Sequence, residues 1–146
     1  MSSAIRLAQC AARRGPAAAA RCYATKPDVS FPELQRIIHG VSPAPYALID
    51  VREPHEVAEG RVPTAVNIPL GDVAAAFALP PDKFAAKYGV GRPSASIETI
   101  FYCRSGKRSQ SAIDQVEKVD ASLSLRNYRG SWLDYLEHAL ANKPLK

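Results

Sequence analysis

The stretch Thr99-Ile100-Phe101-Tyr102-Cys103-Arg104-Ser105-Gly106-Lys107-Arg108-Ser109 carries a β-branched and aromatic run into a cysteine, then into three cations and two serines within six residues. Glu98 to Tyr102 predicts a strand. Beyond Arg108, the residues Ala112, Ile113, Val116 and Val119 recur at helical spacing, so a helix follows. Cys103 therefore stands where a strand ends and a helix begins, the place at which open α/β sheets bind ligands. Amides at a helix start lack intrahelical partners, and the helix dipole adds positive potential there. Together with the side chains of Arg104, Lys107 and Arg108 they favour a thiolate. Such surroundings bring a cysteine pKa from about 8.5 into the range ~3.5–7.5. Gly106 permits the tight curvature that wraps amides around the sulfur. The segment from Arg104 through Ser105, Gly106 and Lys107 to Arg108 would thus cradle an anionic substrate or a persulfide. The alternative is an inert buried cysteine, the common fate of a free thiol. Three cations and two serines suit an apolar core poorly.

Outward from this segment, strand and helix signals alternate. Ser30-Phe31-Pro32-Glu33 has capping-box spacing with an early proline, opening a helix through about His39. Tyr46 to Asp50 is a short apolar run ending in an acid, a buried strand. Pro54 to Glu59 predicts a short helix stopped by Gly60, and Ala65 to Ile68 a second strand. Short helical pieces follow near 70–77 and 81–88. Leu123 to Tyr128 reads as a last strand. Ser131-Trp132-Leu133-Asp134 then caps a helix with Trp132, Leu133, Leu136, Ala139 and Leu140 on one side. This alternation predicts an α/β fold, a parallel sheet covered by helices on both faces.

A chain of 146 residues has room for one domain with a real core, and its 23% charged and 47% hydrophobic residues are ordinary for a globular protein. No apolar run approaches the ~20 residues that span a bilayer, which argues against a transmembrane helix or a membrane partner. The net charge of +5 is unevenly placed. Residues 1–23 hold Arg6, Arg13, Arg14 and Arg21 and no acid, so 15 of the 19 basic side chains remain to face 14 acidic ones. A balance of +1 gives little support to a nucleic-acid-binding face. The Ala-rich, acid-free leader has the composition of a mitochondrial transit peptide over 1–23, with 24–29 a linker and 30–146 the domain. Arg13 and Arg14 interrupt any secretory apolar region, and Arg21-Cys22-Tyr23-Ala24 resembles a matrix-peptidase site. The expected location is the mitochondrial matrix. Cys10 and Cys22 leave with such a leader, so Cys103 becomes the single thiol, with no internal disulfide and no multi-cysteine metal site. No metal and no cofactor is expected.

Four motifs in order identify the family that this chain resembles. Cys103-Arg104-Ser105-Gly106-Lys107-Arg108-Ser109 resembles the rhodanese pattern C-x-x-G-x-R-[ST]. Asp50-Val51-Arg52-Glu53-Pro54-His55-Glu56 resembles D-V-R-x-x-x-E, and Gly60 to Pro69 is similar to G-H-I-P-G-A-x-N-I-P. Tyr128-Arg129-Gly130-Ser131-Trp132 resembles a closing Y-x-G-S-[WF]. The resemblance, to small single-domain mitochondrial sulfurtransferases, spans residues 46 to about 135. It implies five parallel strands flanked by helices. It implies that Cys103 takes sulfane sulfur from a small anionic donor such as thiosulfate and passes it to a thiol such as glutathione or a protein cysteine, or to cyanide. It also implies that Arg52 and Glu56 form a buried pair bracing the site, with Asp50 alongside. All three are equally at home as fold-holding polar residues. The chain departs from the pattern at Arg61, Val57 and Thr64, the last standing where a turn glycine is usual.

A cysteine phosphatase or arsenate reductase has a similar cradle, but tyrosine phosphatases set Arg six residues after the nucleophile and His before it. Here Arg108 comes five after Cys103, and Tyr102 precedes it. A persulfide carrier without turnover, or an interaction module, needs the same cysteine as an enzyme, and the sequence leaves carrier and enzyme open.

Overall fold

Apolar runs that alternate with helical segments pair here as a parallel sheet. The computed structural model describes residues 26–41 and 44–142, and the leader expected over 1–23 lies outside the described residues. In chain order the elements are α1 (Phe31–Ile38), β1 (Tyr46–Asp50), α2 (Pro54–Ala58), β2 (Val66–Asn67), α3 (Leu70–Ala78), α4 (Pro81–Tyr88), β3 (Glu98–Tyr102), α5 (Lys107–Val119), β4 (Ser124–Asn127) and α6 (Ser131–Ala141). The strands are ordered β2-β1-β3-β4, and every pair is parallel. Asp50 faces Tyr102 in the ladder, so both strands end at one edge and deliver Val51–Arg52 and Cys103 there together.

Alternate strand residues point to opposite faces. Ile49, Phe101 and Leu125 meet Val73, Ala76 and Phe77 of α3, Phe84 of α4, and Ala112, Ile113 and Val116 of α5. Leu48, Ile100 and Tyr102 pack beneath Leu34 and Ile37 of α1 and Trp132 and Tyr135 of α6. The Phe77 ring lies 5.7 Å from that of Phe84 and 5.9 Å from that of Phe101. Burial of each such ring contributes about 2 kcal/mol.

The five strands that the resemblance implied are four among the described residues. The chain before α1 lies beside β4 without extending the ladder. Val29 N donates to Asn127 O at 2.8 Å, whereas Pro27 has no amide to give, and the Pro27 carbonyl accepts from the Arg126 side chain at 2.9 Å. The capping box at α1 is half made. Ser30 Oγ accepts from Glu33 N, but the Glu33 carboxylate turns to Arg126 at 2.6 and 2.9 Å.

Two other expectations shift. Helix α5 starts at Lys107, earlier than its apolar stripe shows, because Gly106 at φ +96° is its N-cap. The stripe expected on α6 divides: Trp132, Leu136 and Ala139 are half-buried, while Leu133 and Leu140 stand 47% and 63% exposed. Each exposed leucine sits one residue, about a quarter turn, past the buried face. Thr64 keeps the left-handed turn usual for glycine, at φ +72°, with its Oγ1 2.9 Å from the Tyr46 hydroxyl.

Candidate active site

A cysteine directly after a central strand is buried by its neighbours, and Cys103 is 1% exposed. Its sulfur is nonetheless held by polar groups. Gly106 N donates to Sγ at 3.0 Å, and the Ser109 hydroxyl lies 3.5 Å from it. Burial pushes the Cys103 thiol up. The Ser109 hydroxyl and the amides of Ser109, Gly106 and Ser105 outweigh burial and bring it below the ordinary thiol value. Hydrogen bonds from the loop thus favour the thiolate directly.

Glycine is required at the turn. At φ +96° the Gly106 backbone brings a would-be Cβ within 2.4 Å of Arg129 O, so only a residue without one lets the loop close on the β4–α6 connection. The far side of the loop is fixed by that same connection. Cys103 N donates to Ser131 Oγ at 3.2 Å, and the Ser131 hydroxyl donates to Tyr128 O at 2.8 Å. Trp132 N and Leu133 N, at the start of α6, donate to Cys103 O at 2.9 Å and Arg104 O at 3.1 Å. Ser131, read in the sequence as a helix cap, is not one: Gly130 holds that position, and Ser131 lies buried at φ +57° with its hydroxyl against the cysteine.

The charged residues sort into three groups. Arg104 and Lys107 are exposed at the loop rim, with Ser105 between them. Arg108 does not offer a free charge, since its guanidinium grips both Glu56 carboxylate oxygens at 2.7 and 2.9 Å. That contact, above all, holds the Glu56 carboxyl down at about 2. Asp50 and Arg52 form the buried pair, at 0% and 2% exposure. Arg52 donates to Asp50 from Nε at 3.0 Å and from Nη2 at 2.7 Å.

The expected Arg52–Glu56 pairing is therefore corrected. Arg52 reaches only the Glu56 carbonyl, at 3.4 Å, because Asp50 two residues earlier takes its fork in the sheet's interior. The Tyr102 hydroxyl donates to Asp50 at 2.6 Å, and burial with this contact raises its pKa above the ordinary phenol range. Arg52 also donates to Gly60 O at 2.7 Å and lies 4.7 Å from the Trp132 ring centre. Gly60, α6 and both central strands are thereby joined beneath the cysteine.

The structure brings Cys103, Ser105, Gly106 and the Arg108–Glu56 pair to one edge, with Asp50–Arg52 beneath. Sequence reasoning missed Ser109, Asn127, Ser131 and Trp132. The Ser109 hydroxyl donates to Asn127 Oδ1 at 2.7 Å and also lies 3.0 Å from Gly106 O, so Asn127 orients the group that faces sulfur. Ser109 closes the cysteine motif and could have been read from it; Asn127 carries no local signal. Among the described residues no group of three or more His, Cys, Asp or Glu side chains could hold a metal ion. A buried sulfur that accepts an amide N–H and has a hydroxyl 3.5 Å away can carry negative charge and attack a small electrophile.

The family model of the rhodanese-like domain matches residues 30–138. The thiosulfate:glutathione sulfurtransferase of Saccharomyces cerevisiae is 38% identical over 112 residues, covering 75% of this chain and 77% of that protein. The same organism's mitochondrial thiosulfate sulfurtransferase RDL2 is 30% identical over 146 aligned positions, 96% of this chain and 95% of that one. The solved structure of the human single-domain sulfurtransferase TSTD1 superposes with a TM-score of 0.69 at 33% identity, over 77% of this chain and 96% of that chain.

Proposed function

This chain belongs to the rhodanese-like family and is a rhodanese-type sulfurtransferase, and from that premise we propose that it moves sulfane sulfur from thiosulfate to a thiol through a persulfide on Cys103. One observation carries the assignment: a 1% exposed sulfur that accepts Gly106 N at 3.0 Å with a hydroxyl beside it. An inert core thiol has no need of such donors.

The Cys103 thiolate attacks the outer sulfur of thiosulfate. A new S–S bond forms, the old one breaks, and sulfite leaves with the electron pair. Negative charge then rests on the outer sulfur of the persulfide, where the loop amides and the rim cations Arg104 and Lys107 favour it. An acceptor thiolate attacks that outer sulfur, and Cys103 leaves as thiolate. Sulfite departs before the acceptor enters, so the kinetics are ping-pong. Arg108, tied to Glu56, acts by bracing the loop, and Asp50–Arg52 by fixing the strand ends. The mitochondrial relative supports a mitochondrial location, and the acid-free leader with its peptidase-like Arg21-Cys22-Tyr23-Ala24 is the ground for proposing the matrix.

The test is a mass measurement on the full chain after thiosulfate alone. One sulfur atom should appear on the Cys103 peptide, leave on addition of glutathione, and be absent when Cys103→Ser is used. If turnover requires both substrates bound together and no persulfide accumulates, the mechanism is wrong.

A further inference from the structure

Beside the cysteine loop lies an open cleft of about 180 Å³, lined by Arg52, Glu56, Glu59, Arg104, Trp132, Leu133 and Leu136. Two of its charges are already satisfied: Arg52 is paired with Asp50, and Glu56 with Arg108. The remaining two are Arg104, next to the nucleophile, and Glu59, at the end of α2. Both are exposed, and neither has an ion-pair partner among the described residues. The indole of Trp132 and the side chains of Leu133 and Leu136 line the same cleft and supply its apolar surface. The cleft thus offers one cation, one anion and an aliphatic surface within reach of the loop.

This polarity suits one substrate of the reaction better than the other. A donor dianion gains nothing from Glu59 and is repelled by it. A small thiol bearing both a carboxylate and an ammonium matches both charges, and its methylenes match the apolar surface. Resting on the sulfurtransferase reading above, we infer that this cleft is the acceptor subsite. It selects a zwitterionic low-molecular-weight thiol, with Arg104 holding the carboxylate and Glu59 the ammonium. Glutathione belongs to this class. The acceptor's sulfur is then delivered past Arg104 to the persulfide, and the transfer is the thiolate attack already described.

The test separates the two charges. With the full chain at saturating thiosulfate, kcat/KM is measured for glutathione, for cysteamine, which carries only the ammonium, and for 3-mercaptopropionate, which carries only the carboxylate. In Glu59→Gln the cysteamine-to-mercaptopropionate ratio should fall about three- to fivefold, the worth of one exposed ion pair. In Arg104→Gln the same ratio should rise by a similar factor, and glutathione should lose efficiency in both variants. Among the described residues the Glu59 side chain makes no hydrogen bond or ion pair, so its replacement should leave the fold undisturbed. Ratios that stay fixed, or that move in the same direction in both variants, overturn the subsite, including the case in which the true acceptor is a protein cysteine that docks elsewhere. Failure of the underlying reaction looks different: the unmodified protein then releases no sulfite and forms no persulfide with any acceptor.

Discussion

Replacing Gly106 with Ala probes the turn that shapes the cradle. At φ +96° an L-residue costs about 1–2 kcal/mol in backbone strain. The added Cβ would also lie 2.4 Å from Arg129 O and 3.2 Å from Arg129 C, both backbone atoms that no rotamer change can move. Relief to ordinary contact demands a displacement of about 1 Å between the loop and the β4–α6 connection. A shift of that size lengthens the 3.0 Å bond from Gly106 N to sulfur past its useful range. Losing a bond to a charged acceptor adds about 1.5–3 kcal/mol. The expected destabilisation is therefore about 3–5 kcal/mol, with the Cys103 thiol rising toward its ordinary value. Gly89→Ala is the control, because Gly89 has φ +73° but nothing within 4 Å of a new Cβ, and should lose only about 1 kcal/mol. Urea unfolding followed by Trp132 fluorescence gives the stabilities. Iodoacetamide labelling of the Cys103 peptide against pH gives the thiol midpoint. Equal losses in the two variants, with an unmoved midpoint, would refute the reasoning.

Thr64→Asn should gain about 0.5–1 kcal/mol, since Asn tolerates the φ of +72° that a β-branched residue resists; a melting temperature that stays the same or drops counts against it. Glu56 titrates near 2 when folded, against 4.5 ordinarily, chiefly through its hydrogen bonds to Arg108. The folded value is the lower one, so the pair's stabilisation is complete above about pH 4.5 and drains away toward pH 2. Glu56→Gln should therefore cost about 1 kcal/mol at pH 7, and the difference from the unmodified chain should vanish on acidification; a pH-independent difference rejects the ion pair as its cause.

The parts of this molecule that were readable in sequence are those decided within a few residues. Tyr46–Asp50 and Glu98–Tyr102 declare themselves as buried strands by composition, and Cys103 with Gly106 marks the turn between strand and helix. What escaped depends on residues brought together by the fold. Glu56 was assigned to Arg52, four residues away, yet Arg108, fifty-two residues on, takes its carboxylate. Ser131 looked like a helix cap because Asp134 follows at the right spacing. In the fold the Asp134 carboxylate accepts from the Tyr128 hydroxyl at 2.6 Å, and the serine turns toward the cysteine. The fifth strand came from resemblance, and Pro27 with the demands of Arg126 on the neighbouring carbonyls shows why the local chain does not supply it.

The grip of α6 on the cysteine loop has a consequence for the order in which reactivity arises. Cys103 and Arg104 have their carbonyls held by amides of residues 132 and 133, almost thirty positions later. Until residues 132 and 133 are docked, Gly106 has no partner against which to hold its strained turn, and the Cys103 thiol lacks the loop donors that lower its pKa. Activation arrives with the docking of α6. A nucleophile built this way gains its lowered pKa together with the burial that restricts access to it, so a chain lacking α6 should carry an exposed thiol of ordinary acidity.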